Sequence, residues 1–422
     1  MIKNESERIV LKVWGKEVGE LYKGELPETY RFKYNSEWIE SGIELSPLYM
    51  PNSAEVYEFD NLNPETYHHL PPMIADLLPD KFGSTLVDVA FALDGVSRDK
   101  ISPLLRLSEV GSGGFGTITL HPAAAQPIGE LDLNLSEIAN SAKVTLGLLR
   151  PDELKPEALT NLLAVGRAAG GARAKIIISY NPRSNKYLPG HLPPPKGYES
   201  WLLKLDGVPA AADFPRIEFA YYNMAISCGI KMSESRLLTD GELTHFITKR
   251  FDRGAKNERI HIQSLCAMAQ LDFNKVGTNT YEQYFEVIRD LGMGQAEIEQ
   301  AFRRAVFNIV TCNRDDHSKN FSFLLNQSGY WQLAPAYDVT HAHNADGLWT
   351  KDNQMGINGK FTGVTLDDLY QVARNEGIDD YEELIADVLQ AAYSWPLFTK
   401  QAGVTETSIE SIAHDIATNL PG

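Results

Sequence analysis

Between residues 295 and 338 the chain runs through an apolar helical repeat, a polar string of eight residues, and two short apolar stretches joined by a turn. Ile298, Phe302, Val306 and Ile309 recur at helical spacing, which predicts an amphipathic helix over residues 295–311. Asn313-Arg314-Asp315-Asp316-His317-Ser318-Lys319-Asn320 follows it. Phe321 to Leu325 then reads as a strand, Asn326-Gln327-Ser328-Gly329 as a turn, and Tyr330 to Leu333 as a second strand leading into Ala334-Pro335-Ala336-Tyr337-Asp338. A hairpin folds back on itself, so Asp338 returns to the neighbourhood of Asn320. Any fold for this chain must therefore accommodate two carboxylates and an amide at one end of that hairpin.

At 422 residues the chain exceeds the usual size of one domain, and two or three domains are expected. Apolar residues make up 43% and charged residues 23%, an ordinary globular mixture that can bury a sizeable core. The net charge of -17 repels phosphate backbones, which argues against sequence-independent grip on DNA or RNA by this chain alone and suits a basic partner. Cys228, Cys266 and Cys312 are widely spaced and form no CxxC pair, against a disulfide framework or a cysteine zinc site. The first eight residues, Met-Ile-Lys-Asn-Glu-Ser-Glu-Arg, lack the apolar stretch of a signal peptide, and no apolar run reaches the ~20 residues of a membrane span. The expectation is a soluble cytoplasmic protein with no membrane contact.

Punctuation along the chain suggests where it divides. Ile9 to Val13 and Arg31 to Tyr34 read as strands, the first ending at a Gly15-Lys16 turn, and a helix is expected from Met73 to Leu78 after Pro71-Pro72. Pro122, a run of alanines, Pro127 and Gly129 break the periodicity near residues 122–135, so a first domain is placed at 1–134. A Gly-rich loop, Gly166 to Lys175, then precedes strands at Ile176 to Tyr180 and Trp201 to Leu205 and a helix carrying Glu218 that stops at Cys228-Gly229. These make a second unit, 135–250. The remainder, 251–422, is mainly helical.

The residue types at the hairpin match the needs of phosphoryl transfer. Magnesium takes oxygen ligands, which Asn320 and Asp338 can supply. Asp315 can accept the proton of an attacking hydroxyl, and Lys319 can neutralise charge on the transferring phosphate. Lys204 on its strand and Glu218 on the next helix form a pair able to hold the α- and β-phosphates of ATP. Lys249-Arg250-Phe251-Asp252-Arg253 lies where a hinge between two lobes would meet adenine. Of two glycine loops, Gly166 to Lys175 is assigned to phosphates because it directly precedes its strand pair, and Gly111 to Gly116 is read as a tight turn. His317 is read as a brace and His261 as scaffold. His341 and His343 alternate after Asp338 but have no third ligand at a plausible spacing, and are read as structural.

Taken together, Val13 to Leu21, Leu78-Pro79-Asp80, Ala169 to Arg173, Trp201 to Lys204, Lys249 to Arg253 with Arg259-Ile260-His261 and Ser264, Asn313 to Asn320, and Tyr337-Asp338 occur in an order that resembles the HipA family, the kinase toxins of bacterial toxin–antitoxin pairs. The resemblance implies an α+β, two-lobed protein-kinase-like fold with an additional N-terminal α/β domain and a mainly helical C-terminal lobe. It implies Asp315 as catalytic base, with Lys319 beside it, and Asn320 and Asp338 as magnesium ligands. The nucleotide set comprises Ala168, Ala169, Gly170, Gly171, Ala172, Arg173 and Lys175 of the phosphate loop, with Lys204, Glu218, Lys249, Phe251 and His317. Further implications are ATP and Mg2+ as cofactors and a serine or threonine on a cellular protein, such as an aminoacyl-tRNA synthetase, as acceptor. A HipB-like helix-turn-helix antitoxin is implied as partner, with DNA met only through that complex. One departure stands out. The loop serine whose phosphorylation silences many members is Ala168 here, and no hydroxyl lies between Gly166 and Lys175. Two other readings keep part of this chemistry: a kinase for a small-molecule or lipid hydroxyl, and a non-catalytic nucleotide-binding module that holds a DNA-binding partner.

Overall fold

Ile9, Leu11 and Val13 are buried at alternate positions, and this period of two draws Arg8–Val13 out as a strand with one face on a core. Trp14 and Gly15 both take positive φ, 49° and 80°, the turn whose twist matches its flanking strands, and the chain reverses into Lys16–Lys23. The computed structural model describes residues 8–123, 133–150, 156–167, 171, 173–191, 193–207 and 213–419. Its first sheet is antiparallel and five-stranded, in the order Val56–Tyr57, Tyr30–Tyr34, Lys16–Lys23, Arg8–Val13, Thr119–His121. The helix expected over 73–78 is a single turn, Pro72–Ala75. Pro79 disfavours helical geometry at Leu78, and Leu77 and Leu78 close tighter turns onto Ile74 and Ala75.

A second antiparallel sheet runs Lys186–Pro189, Lys175–Asn181, Glu199–Lys204, Leu243–Lys249, Ser235–Asp240. Ile176, Ile178, Trp201, Leu203 and Ile247 from this sheet share a core with Phe82 and Leu86 of the Lys81–Leu93 helix, so an element from early in the chain packs beneath the second sheet. The Phe214–Ser227 helix follows, ending before Gly229 at φ 83° as the Cys228-Gly229 stop predicts. It sends Ile217, Tyr221 and Met224 into the largest core, which is built mainly from Tyr281–Asp290, Gln295–Val310 and the helices after residue 365. A five-stranded lobe joined to a larger helical lobe, with a separate N-terminal sheet, is the two-lobed protein-kinase-like architecture anticipated from sequence. None of the described helices is long and apolar enough to cross a membrane.

The hairpin between the lobes forms nearly as read, with Ser322–Leu325 pairing with Trp331–Leu333 in register Phe323↔Leu333 and Leu325↔Trp331. His261–Ser264 pairs on its other edge. His261 is buried, and burial pushes its imidazole down to about 4, so it is a neutral part of the scaffold.

The Gly111–Gly116 turn meets the segment after Lys249. Arg259 donates to the carbonyl oxygens of Ser112 (2.7 Å), Gly114 (3.1 Å) and Gly116 (2.7 Å), and Arg250 and Arg253 add bonds to Gly114 and Gly116. Asp252, 1% exposed, accepts from Gly116 N–H at 2.7 Å and from both Arg250 and Arg253. Burial opposes its ionisation, but the two guanidinium groups outweigh this and hold the carboxyl far below its usual range. Arg250, Asp252 and Arg253 of the expected hinge segment thus fasten the N-terminal turn. Asp252→Ala should leave buried guanidinium groups uncompensated and lower unfolding free energy by about 3–5 kcal/mol. Urea denaturation should record the loss as a lower midpoint, and an unchanged midpoint would refute this account of the turn.

Candidate active site

The polar string is anchored from beneath by the second of its two aspartates. Asp316 is 1% exposed and accepts from Tyr281 Oη (2.6 Å), Asn353 Nδ2 (3.1 Å) and Gln354 N–H (2.7 Å). Burial raises its carboxyl to about 6 against the pull of those donors. Asn308 bonds both Tyr281 and Asn313, which extends the network into the Gln295–Val310 helix. With Asp316 pinned inward, its neighbour Asp315 faces the cleft, its side chain 51% exposed. Asn320 Nδ2 donates to the Asp315 carbonyl at 2.7 Å, which fixes the amide's orientation and leaves Oδ1 as its free end.

Tyr337 brings the far end of the hairpin back. Its hydroxyl donates to the Lys319 carbonyl (2.7 Å) and lies 2.6 Å from Ser322 Oγ, bridging both strands of the hairpin's base. Phe251 packs against the Tyr337 ring, centroids 5.5 Å apart. Asp338 follows with φ 52°, a left-handed conformation that aspartate tolerates better than most residues.

Across the cleft, Lys175 and Lys204 are directly opposed residues of neighbouring strands. Two like charges so placed repel, and carboxylates offset the repulsion. Lys204 Nζ donates to both Glu218 and Asp338, and Lys175 Nζ lies 3.8 Å from Asp338. Burial works against the Lys204 ammonium, yet Asp338 and Glu218 raise its pKa. Lys175 is less well compensated, and burial lowers its pKa. Asp338 is held far below the usual carboxylate range, because Lys175 and Lys204 overcome its desolvation. Asp315 moves the other way. Desolvation in the cleft raises its pKa, which His317 opposes and Asp338 reinforces.

Asp80 is the residue that local sequence did not single out as part of the site. One carboxylate oxygen accepts from Gly171 N–H at 2.6 Å and the other from Lys319 Nζ at 2.6 Å, so it ties the glycine loop to the polar string. Its only sequence signal was its place in Leu78-Pro79-Asp80. The Lys319 ammonium is accordingly committed to Asp80, and the half-buried Asp76 lies close enough to reinforce it. Gly171 has φ +90°, and a Cβ there would lie 2.3 Å from Lys175 Nζ, so a side chain would be strained and would displace the lysine.

Asp315, Asn320, Asp338, Lys175, Lys204, Glu218, Gly171, His317, Lys319, Lys249 and Phe251 line one cleft of about 700 Å³. His317 Nε2 is 3.8 Å from Asp315, and its ring sits beside Phe273. Lys249 pairs with Glu199 at 2.6 Å. Arg173 stacks on Phe214, 4.1 Å from the ring centroid. Leu202, Met232 and Phe246 give the cleft an apolar wall. Ala168, Ala169, Gly170 and Ala172 lie outside the described residues. The arrangement offers oxygen donors for a hard cation on one wall, ammonium groups for an anion opposite, and a carboxylate between them.

Comparison with known proteins bears on the family and the fold. The family described as HipA N-terminal domain matches residues 10–121, and that described as HipA-like C-terminal domain matches residues 167–420. A protein of Haemophilus influenzae named "Putative kinase" is 26% identical over 146 residues, 31% of this chain and 43% of the relative. A Sinorhizobium fredii protein named "Putative kinase Y4mE" is 29% identical over 102 residues, 22% of this chain and 24% of the relative. The matches thus span less than half of either relative. A chain in the complex of the Shewanella oneidensis MR-1 toxin–antitoxin proteins HipA and HipB with operator DNA superposes with a TM-score of 0.65 at 18% identity, covering 97% of this chain and 95% of that one, which establishes a shared fold. Since the C-terminal match alone takes in well over half of the sequence, the chain belongs to the HipA family.

Proposed function

We propose that this protein is an ATP- and Mg2+-dependent serine/threonine protein kinase and the toxin of a HipA/HipB-type pair. The observation that carries the reading is the convergence of Asp315, Asn320, Asp338 and the Lys204–Glu218 pair on one cleft. The donor set fits the cofactors. Asn320 and Asp338 present oxygen to a hard cation, Lys175 and Lys204 face an anion, and the apolar wall of Leu202, Met232 and Phe246 suits a flat base. Bound ATP supplies the γ-phosphoryl group and magnesium neutralises its charge.

The chain's own residues then have separable tasks. Asp315 accepts the proton of the acceptor hydroxyl, and Asn320 holds the backbone of that aspartate in place. Glu218 keeps Lys204 extended toward the phosphates. Asp80 and Lys319 hold Gly171 to the polar string. The acceptor is proposed to be a serine or threonine of a cellular protein such as an aminoacyl-tRNA synthetase, met in the cytoplasm. A basic HipB-like helix-turn-helix antitoxin would complement a chain of net charge -17 and carry it to DNA.

Three outcomes check the proposal. In a bacterial extract supplied with γ-labelled ATP and magnesium, wild type should label a protein band that Asp338→Ala does not. ATP binding without any transfer by wild type would sink the kinase reading in favour of a binding module, and a labelled metabolite without a labelled protein would redirect it to a small acceptor. Asp315→Ala should lower transfer roughly 100- to 10,000-fold while ATP binding measured by calorimetry is retained; full activity in that variant would remove Asp315 as base. Since only ionised Asp315 can take a proton and its pKa is raised, transfer should fall on acidification at a higher pH than an ordinary aspartate would give. A flat acid limb down to the ordinary aspartate range would contradict that assignment.

A further inference from the structure

We propose that His341, His343 and Asp415 form a second metal site, outside the nucleotide cleft, for a divalent transition-metal ion such as zinc. The third ligand missing from the sequence around the two histidines comes from the Glu406–Asn419 helix. His341 Nε2 lies 2.9 Å and His343 Nδ1 3.3 Å from the same oxygen, Asp415 Oδ2, and the three ligand atoms all fall within 4.8 Å of one another. Ligand atoms ~2.0–2.1 Å from a tetrahedral zinc sit about 3.3 Å apart, close to both spacings to Asp415 Oδ2.

Local backbone explains why both imidazoles reach one point. Ala342 N–H donates to the Cys312 carbonyl at 3.1 Å and the Ala342 carbonyl accepts from Arg314 N–H at 3.0 Å, which holds residues 341–343 extended against the strand-like lead into the polar string. In an extended segment residues i and i+2 share a face, so His341 and His343 stand together on the side away from Ala342. The ligand side chains are only 16%, 19% and 21% exposed, enough for an ion and a water to enter while the surrounding protein limits competition from solvent. Two imidazoles and one carboxylate suit zinc or its first-row neighbours better than magnesium, and three protein ligands leave a fourth position for water. Arg314 Nη2 also bonds Asn419 Oδ1 at 2.8 Å on the same helix. An ion here would therefore staple the last helix to the segments that carry Asp315 and Asp338.

The rival explanation is that both imidazoles merely donate hydrogen bonds to Asp415, and one experiment separates the two. The full chain, without an affinity tag and stripped with a chelator, is titrated calorimetrically with zinc chloride beside His343→Ala, Asp415→Asn and Asp338→Ala. Circular dichroism checks that each variant is folded. The expected result is one saturable site in wild type and in Asp338→Ala, with affinity at least about 10-fold weaker in His343→Ala and Asp415→Asn. Cobalt(II) in place of zinc should give the visible absorption of a four-coordinate site in wild type and lose it in His343→Ala. Absence of saturable binding in wild type, unchanged affinity in a folded His343→Ala, or loss of binding in Asp338→Ala would each overturn the proposal, the last by assigning the ion to the cleft.

Discussion

Lys204 holds two carboxylates at once, Glu218 from the helix beside its sheet and Asp338 from the opposite wall of the cleft, and the site is organised around that contact. The lysine is nearly inaccessible, at 7% exposure, so its charge is poorly screened by bulk water. Remove Asp338 and two lysines directly opposed across adjacent strands would face each other with Glu218 as the nearest compensation. The sheet lobe and the helical lobe are thus joined electrostatically at the point where the chemistry is proposed. This makes the distance between Lys204 and Asp338 a property of lobe closure, which a loop side chain alone could not set.

Around this contact the proposed reacting groups are held by Asp316 from beneath and by Tyr337 and Asp80 at the cleft wall. Asp316 spends its carboxylate on Tyr281, Asn353 and Gln354, and so turns Asp315 outward. Tyr337 fixes the hairpin's two ends to each other, and Asp80 fixes the glycine loop to Lys319. Each anchor is a hydrogen bond between elements remote in sequence and largely shielded from water, where such bonds are expensive to leave unmade. Geometry fixed in this way would let the proposed base and cation ligands act without reorganising during transfer.

What could be read from the sequence was whatever is local. The 295–311 repeat became Gln295–Val310, and the strand, turn and strand after the polar string became the hairpin, because periodicity and turn chemistry act over a few residues. The partnership of Lys204 with Glu218 was legible because a strand and the helix that follows it must pack together. Asp315 was preferred to Asp316 by its spacing to Asn320, and the burial of Asp316 is something only the fold shows. Asp80 and Asp415 lay beyond reach, because their partners Lys319 and His341 come from other parts of the chain and only tertiary folding brings them together. The segment Lys249–Arg253 was read as a hinge, but the attachment of its arginines to Gly114 and Gly116 depends on how the N-terminal sheet docks.

An overall net charge of -17 and a cleft that faces anions with lysines are compatible because the cleft's cations are unequally spent. Lys319 is bound to Asp80 and Lys204 to Glu218 and Asp338, whereas Lys175 has its nearest carboxylate at 3.8 Å. Burial and the adjacent Lys204 push its pKa down, so the folded protein holds that proton less firmly than water would. An arriving phosphate would supply the missing negative charge and raise the same pKa, so anion binding and proton uptake at Lys175 are linked. The sign follows: the ammonium form binds, and affinity for the anion weakens as pH rises through the depressed pKa. Of Lys175, Lys204 and Lys319, Lys175 is therefore the least closely paired, and the glycine at 171 leaves room for it.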